Sequence, residues 1–262
     1  MTPYFSVIVP THHRAILLQR ALSSINAQSA RNKCEVIVVS DVSERNTSSI
    51  CHDLLLEGDT YIIRNGVKGP SESRNLGIQI AKGEYLLFLD DDDAWHENFL
   101  ELLYQRPEVR NGIFVHFDGT VVKEHREKTH FSELKEMPAD FYYSDHIFVR
   151  NQIHMSTLAF PRRLIGDSKF DPHMRAYEDW DFMLAIFLKE APVYIPVLGS
   201  RIYEVFSGES DRRGESQAAC DYNAALDYLY VYRRRQAPTE EIKSIRSVLL
   251  QKAGLSIEPE YL

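Results

Sequence analysis

Four short apolar runs in the first ~90 residues, each followed by a polar loop, restrict this chain more than any other feature. They are Phe5–Val9, Glu35–Ser40, Tyr61–Ile63 and Tyr85–Leu89. Their length and β-branched content suit strands, and the nearly continuous apolar character of Glu35–Ser40 suits a parallel strand covered on both faces. Pro10 stops the first run. Between the runs, Leu18, Ala21, Leu22 and Ile25 recur at helical spacing, a second helix is expected from about Thr47 to Leu56, and Leu76 with Ile80 marks a third reaching Lys82-Gly83. Such alternation predicts an α/β fold with a doubly wound, mostly parallel central sheet flanked by helices. Sheets of this kind bind ligands at the carboxyl ends of their strands, especially where strand order reverses. The loops to inspect are therefore Thr11–Arg14, Asp41–Ser43 and Asp90–Asp93. No Gly-x-Gly-x-x-Gly or Walker-type loop occurs, so dinucleotide and P-loop sites lose their usual support.

The fourth run delivers four consecutive aspartates, Asp90–Asp93. Carboxylates this close repel one another, and a cation relieves the repulsion, which points to a divalent-metal site. The competing reading is a solvated acidic turn in which Asp92 or Asp93 caps a helix starting near Ala94. These residues alone do not separate the two.

Beyond Trp95 the alternation fades. Phe99, Leu102 and Leu103 mark a helix, while Ile113–Phe117, Phe148–Phe160 and Val193–Leu198 read as strands. Lys123–Glu136, dense in both charge signs, reads as an exposed or mobile segment. An acidic, aromatic turn within Phe170–Phe182 opens a helix with Met183, Ile186 and Phe187 on its apolar face. A tail helical from about Ala218 carries Tyr222, Leu226 and Leu229. Pro238-Thr239 starts a last helix that presents Ile242, Ile245 and Leu249 and stops at Gly254.

The bulk properties exclude some classes. A chain of 262 residues, 44% hydrophobic and 26% charged, buries an ordinary globular core. Its net charge of −8 argues against nucleic acid as the main partner. Cys34, Cys51 and Cys220 have no metal-ligand spacing and fit buried thiols in a reducing compartment. The amino terminus enters a strand-like run at once, which reads as no signal peptide, and no apolar run approaches the ~20 residues that cross a bilayer. A cytoplasmic protein is the expectation. Arg233–Arg235 beside Tyr228, Tyr230 and Tyr232 suggests peripheral contact with the inner face of a membrane.

Five stretches, in order, resemble the family-2 inverting glycosyltransferases of the GT-A fold. Phe5-Ser-Val-Ile-Val-Pro-Thr11 resembles the family's opening strand, and Glu35–Val39 with Ser40-Asp41-Val42-Ser43 its second strand and Asp-Asp-Gly-Ser turn. Gly69–Ile78 resembles its Gly-x-x-x-Ala-Arg-Asn-x-Gly element. Gly83–Trp95 resembles the strand with the Asp-x-Asp metal motif, and Glu178-Asp179-Trp180-Asp181 the later Glu-Asp motif. The likeness is dense over the first ~100 residues and resumes over 151–210. It implies a GT-A domain over 1–215, with a nucleotide-binding half 1–105 and an acceptor-binding half 106–215, followed by a helical extension over 216–262.

The resemblance implies roles as well. The donor is a nucleotide sugar, UDP-linked by expectation, and the acceptor a hydroxyl of a glycan or lipid-linked saccharide, as in bacterial surface polysaccharide synthesis. Asp41 would accept the imide N–H of the base, bordered by the backbone of Pro10 and Thr11. Asp92 with Asp90 would hold Mn²⁺ or Mg²⁺, and Asp91 would face the ribose or lie behind the ligands; Asp93 is left as a cap or a site residue. Arg74 either approaches the diphosphate or pairs with the aspartates. Asp179 would be the base, kept ionised by the positive end of its helix, and Glu178 an orienting neighbour or acceptor contact. Trp180 packs in the core or stacks on the acceptor. Ser40 and Val42 depart from the family's base-binding turn, and Glu204 and Phe206 stand where relatives carry Arg and His. Arg201, Arg212 or Arg213 are then candidates for the diphosphate. Those departures keep a non-catalytic sugar-nucleotide-binding subunit open. A nucleotidyltransferase is less favoured, because Thr11–Arg14 lacks the glycines of a phosphate-binding loop.

Overall fold

Strand β1 (Phe5–Thr11) is buried along its whole length. β2 (Cys34–Ser40) pairs with it in parallel on one side and β4 (Tyr85–Phe88) on the other, while β3 (Thr60–Ile63) extends the sheet beyond β2. Helices α1 (Ala15–Asn26), α2 (Arg45–Leu54) and α3 (Pro70–Ile80) make the crossovers. The computed structural model describes residues 2–127, 130–139, 143–205 and 222–262. Successive side chains of a strand point to opposite faces. Ile8, Ile37, Val39, Leu86 and Phe88 enter one core, and Phe5, Val7, Val9, Val36, Val38, Leu87 and Leu89 enter the other. Both faces being covered, these strands read as continuous apolar runs.

A Cβ added to Gly83 would lie 2.6 Å from the Phe5 carbonyl carbon and 2.6 Å from the Ser6 nitrogen. The β1–β4 approach therefore requires glycine there. Gly83→Ala is expected to cost about 1–3 kcal/mol, lowering Tm by roughly 3–10 °C. A thermal melt coincident with wild type would refute this.

The chain continues through β5 (Ala94–Trp95), α4 (Phe99–Gln105), α5 (Pro107–Arg110), β6 (Val115–Arg126), β7 (Phe131–Pro138), β8 (Leu158–Pro161), α6 (Arg162–Ile165), α7 (Glu178–Phe187) and β9 (Val193–Val205). Beyond β4 the sheet runs β8-β6-β9-β5, with β7 beside β6. β8 is antiparallel to both β4 and β6, and β6 is parallel to β9. Strand order thus reverses between β1 and β4, and the loops that follow these two strands share one edge of the sheet. The α/β architecture expected from the alternation is the one observed.

Three local expectations change. No helix starts near Ala94. Ala94–Trp95 pairs with Ser200 and Arg201 of β9, and α4 begins at Phe99. The described residues of Lys123–Glu136 are not loose but form most of the β6–β7 hairpin, in which β7 is largely exposed as expected. Several of its charges are paired: Lys123 with Glu204, Arg126 with Glu124, and Arg201 of β9 with Glu133 and Glu136. The strand expected over Phe148–Phe160 reduces to β8, because 3-10 turns occupy Asp145–Phe148 and Met155–Thr157.

Helices α8 (Tyr222–Arg234) and α9 (Glu240–Lys252) place Ala225, Val231, Tyr232, Ile242 and Leu250 in the same core as Ile8 and Phe160. The Thr239 hydroxyl caps α9 by accepting the Ile242 N–H at 3.2 Å, and Gly254 follows the helix at φ +87°. Cys34 and Cys51 are buried thiols, which burial pushes up to about 11 and about 12. Cys220 and the boundary expected at 215/216 lie outside the described residues. Among the described residues, no helix is long and apolar enough to cross a membrane.

Candidate active site

The loops after β1, β2 and β4 and the start of α7 supply the site. Asp41, just past β2, is buried. It accepts the Gly69 N–H at 2.7 Å, is in contact with His12 Nδ1, and has Arg64 at 3.7 Å. Burial alone would raise its proton affinity, but the bonds from His12 and Gly69 prevail and hold the carboxyl below the usual range. Asp41 is therefore an oriented, ionised acceptor at the lip of the sheet. Pro10 and Thr11 end β1 beside it, both buried, and the Thr11 hydroxyl donates to Asp91 at 2.7 Å.

The four aspartates diverge because the chain turns after Leu89, with the Asp93 N–H bonded to the Asp90 carbonyl at 3.1 Å. Asp91 points back to Thr11 and to Arg14 at 3.2 Å. Burial and the neighbouring Asp92 push it up to about 7, a proton that a divalent cation nearby would displace. Asp92 lies between Arg14 at 3.3 Å and Arg126 of β6 at 3.2 Å. Asp93 is almost fully buried and accepts the Tyr203 N–H at 2.9 Å, so it caps no helix. Asp90 is the more exposed and receives Arg74 at 2.7 Å.

The Asp-x-Asp pattern expects Asp90 and Asp92 to share a cation. Asp92 is turned toward two arginines. One donor atom each from Asp90, Asp93 and His154 lie within 4.8 Å of one another instead. That donor set fits a divalent cation: two carboxylates and an imidazole converge, and Asp90 and His154 are partly open to solvent.

Arg74 pairs with acids on two elements. Its buried guanidinium donates to Asp90 and, at 3.2 Å, to Glu178 at the start of α7, and so ties the aspartate loop to the Glu-Asp element. Although burial would disfavour the charge, Asp90 and Glu178 hold Arg74 firmly protonated, and Arg74 in turn keeps Asp90 below its usual range.

Asp179 accepts its own helix's Trp180 N–H at 2.6 Å. The helix end was expected to keep it readily ionised. Burial and the adjacent Glu178 outweigh that and push it up to about 6. Such a carboxylate is still mostly ionised at neutral pH and is a better proton acceptor than an ordinary one. Trp180 is wholly buried, its indole N–H donating to the Ile147 carbonyl at 2.7 Å, so its ring packs in the core and offers no face to an acceptor.

Two further expectations change. Arg201 is engaged by Glu133 and Glu136, not aimed at a phosphate; Phe206, Arg212 and Arg213 lie outside the described residues. Within Arg233–Arg235, Arg234 and Arg235 turn inward to the fully buried Asp181, and the Tyr232 hydroxyl donates to the Val149 carbonyl. Two members of the cluster are thus engaged by Asp181, while Arg233 and Arg234 remain exposed. Sequence reading flagged the loop of His12 without giving that residue a role, and it missed Arg126 and His154. No spacing links these two to the aspartates, and only the strand pairing brings them there.

The family model described as Glycosyl transferase family 2 matches residues 6–164, a span that takes in Asp41, Arg74, all four aspartates and His154. The chain belongs to this family. One glycosyltransferase relative is the GalNAc(5)-diNAcBac-PP-undecaprenol beta-1,3-glucosyltransferase of Campylobacter jejuni, 30% identical over 233 residues, covering 87% of this chain and 72% of that one. In fold, this glycosyltransferase is similar to S. aureus TarS 1-349 solved with UDP-GlcNAc, with a TM-score of 0.62, 18% identity, and coverage of 96% and 73% of the two chains. Against the longer TarS chain it spans 43% of that protein. The Pyrobaculum calidifontis mannosyltransferase PcManGT, solved with GDP-Man and Mn²⁺, gives a TM-score of 0.58 at 20% identity, with coverage of 97% and 74%. These structural likenesses place the chain's mixed sheet in the GT-A type.

Proposed function

We propose that this glycosyltransferase inverts the anomeric centre while moving a sugar from a UDP-linked donor to a hydroxyl of a lipid-linked or other glycan acceptor. The observation that supports this reading is the ion-pair bridge from Asp90 through Arg74 to Glu178, the neighbour of Asp179 at the start of α7. Asp41 would take the imide N–H of uracil, a group that cytosine lacks, with Pro10 and Thr11 along the edge of the base. Asp91, already held by Thr11, would meet the ribose. Asp90 with its neighbours Asp92 and Asp93 would hold Mn²⁺ or Mg²⁺. When bound, the cation neutralises the charge that grows on the departing diphosphate. The acceptor oxygen bonds to the anomeric carbon from the face opposite the leaving group, the carbon–phosphate-oxygen bond breaks, UDP departs, and Asp179 receives the hydroxyl proton. Arg74 fixes Glu178, which positions the acceptor next to Asp179. The C. jejuni relative, whose name specifies a lipid-linked saccharide, supports an acceptor of that class.

The test pairs UDP-Glc, UDP-GlcNAc, UDP-GalNAc and GDP-Man with undecaprenyl-diphosphate-linked saccharides in Mn²⁺. The expected result is acceptor-dependent UDP release with inversion at the transferred sugar. Donor binding without release or transfer across the panel would instead favour a sugar-nucleotide-binding subunit.

A further inference from the structure

We propose that the groove between α9 and the 3-10 turn at Asp145–Phe148 is a docking surface for a bilayer of anionic phospholipid. One hydrocarbon chain lies between its walls, and the phosphate headgroup meets Arg150 and Lys252. The inference stands apart from the transfer reaction and needs no step of it.

Helix α9 carries two stripes. Ile242, Arg246 and Leu250 recur at i, i+4 and i+8 and are buried against the core. Ile245, Val248, Leu249 and Lys252 recur at i, i+3, i+4 and i+7 and line the groove instead. A surface helix ordinarily needs one apolar stripe, the one that faces its core. The second is left partly open here, with Val248 51% exposed. Arg246 sets the distance to the opposite wall, because it donates to the Phe148 carbonyl at 2.8 Å and holds α9 against the turn. Val149, next in the chain, is buried and supplies the apolar side chain of that wall.

Size and charge together select the occupant. The groove offers about 220 Å³, less than the ~300–1,000 Å³ of ordinary small-molecule pockets. It is too slim for a partner helix ~10–12 Å across, and a single hydrocarbon chain fits it. Arg150 and Lys252 line it from opposite walls, and both are exposed. Among the described residues neither side chain has a hydrogen-bond or ion-pair partner, and no carboxylate lines the groove. In a chain of net charge −8, two unpaired cations beside an apolar slot complement an anionic head on an apolar tail. A leaflet of anionic phospholipid presents both groups at once.

Cosedimentation of the full chain with vesicles of phosphatidylcholine, alone or mixed with phosphatidylglycerol, tests the surface. Binding is expected only with phosphatidylglycerol, and it falls as salt rises. Arg150→Gln with Lys252→Gln should lower partitioning about 25-fold, roughly fivefold for each cation. Lys82→Gln with Lys135→Gln removes the same charge from exposed positions outside the groove and should change it by less than about threefold. Val248→Asp puts a carboxylate where the chain enters and should lower partitioning by at least about tenfold. Val248→Trp adds an indole at an exposed position, and brominated acyl chains should quench its emission above the background of the buried Trp95 and Trp180. No binding to phosphatidylglycerol vesicles, or equal losses in the two cation pairs, overturns the proposal. Binding without quenching overturns it as well, since only headgroup contact is then left. If wild type self-associates without vesicles and Val248→Asp does not, the occupant is a second copy and the proposal falls. Should Val248→Asp fail to fold, the two cation pairs and the quenching decide.

Discussion

Asp179→Asn is expected to lower kcat by about 10²–10⁴-fold while leaving UDP affinity within about twofold of wild type. The amide is isosteric, and its oxygen still accepts the Trp180 N–H that orients the carboxylate at 2.6 Å. What disappears is the capacity to take the acceptor's proton as the new bond forms. Because burial and Glu178 push Asp179 up to about 6, the wild-type rate carries a pH limb. Below about 6 the group is protonated and idle, so kcat falls about tenfold per pH unit on the acid side and levels off above. The sign follows from the role: a base works only when ionised, and raising its pKa moves the loss toward neutral pH. The residual rate of Asp179→Asn lacks that limb. Initial rates from pH 5 to 8 for both proteins are the check. An unchanged kcat, or an acid limb that survives the substitution, would remove Asp179 from the role.

The second large effect is on stability. Arg246→Met is expected to destabilise the fold by about 3–5 kcal/mol, lowering Tm by roughly 10 °C. Arg246 on α9 is completely buried. It donates to the carbonyls of Phe148 at 2.8 Å, Arg235 at 2.9 Å and Leu262 at 2.9 Å, with its guanidinium 4.3 Å from the Tyr232 ring centre. Burial pulls its proton affinity down to about 10, yet it stays charged at neutral pH, held by carbonyl dipoles and an aromatic face. Methionine fills much of the stem's volume but leaves the carbonyls without donors, and each unmet buried acceptor costs about 1–3 kcal/mol. Arg246→Lys should recover only part of the loss, since an ammonium lacks the planar fork that reaches separate carbonyls at once. Thermal melts with hydrogen exchange over residues 222–262 provide the measurement. A Tm within about 3 °C of wild type for Arg246→Met would refute the account.

Much of the amino-terminal half of the fold was legible from the chain itself. A strand buried on both faces is written as an unbroken apolar run, and β1, β2 and β4 appear so. Their alternation with Leu18–Ile25 and Leu76–Ile80 sets the α/β class, and the class says which strand ends carry chemistry. Asp41, Arg74, Asp90–Asp93 and Asp179 stood out as candidates because they follow those strands or open helices, where local sequence and position in the fold coincide.

The remainder depended on distance in space. The β6–β7 hairpin reads as a solvated charge run because the partners of its ions are not visible in the sequence: Glu124 is wholly buried, flanked by Arg20 of α1 and Arg126 of its own strand. Arg233–Arg235 reads as a basic surface until Asp181, fully buried on α7, claims two of its members. Among the aspartates, sequence order suggested Asp90 with Asp92, and the turn after β4 sent Asp92 to two arginines and Asp93 toward His154. Periodicity encodes which face of an element leaves water, a property each residue shares with its near neighbours. The partner of a buried charge is set by whichever opposite group the finished sheet brings within a few ångströms, and only the tertiary structure decides that.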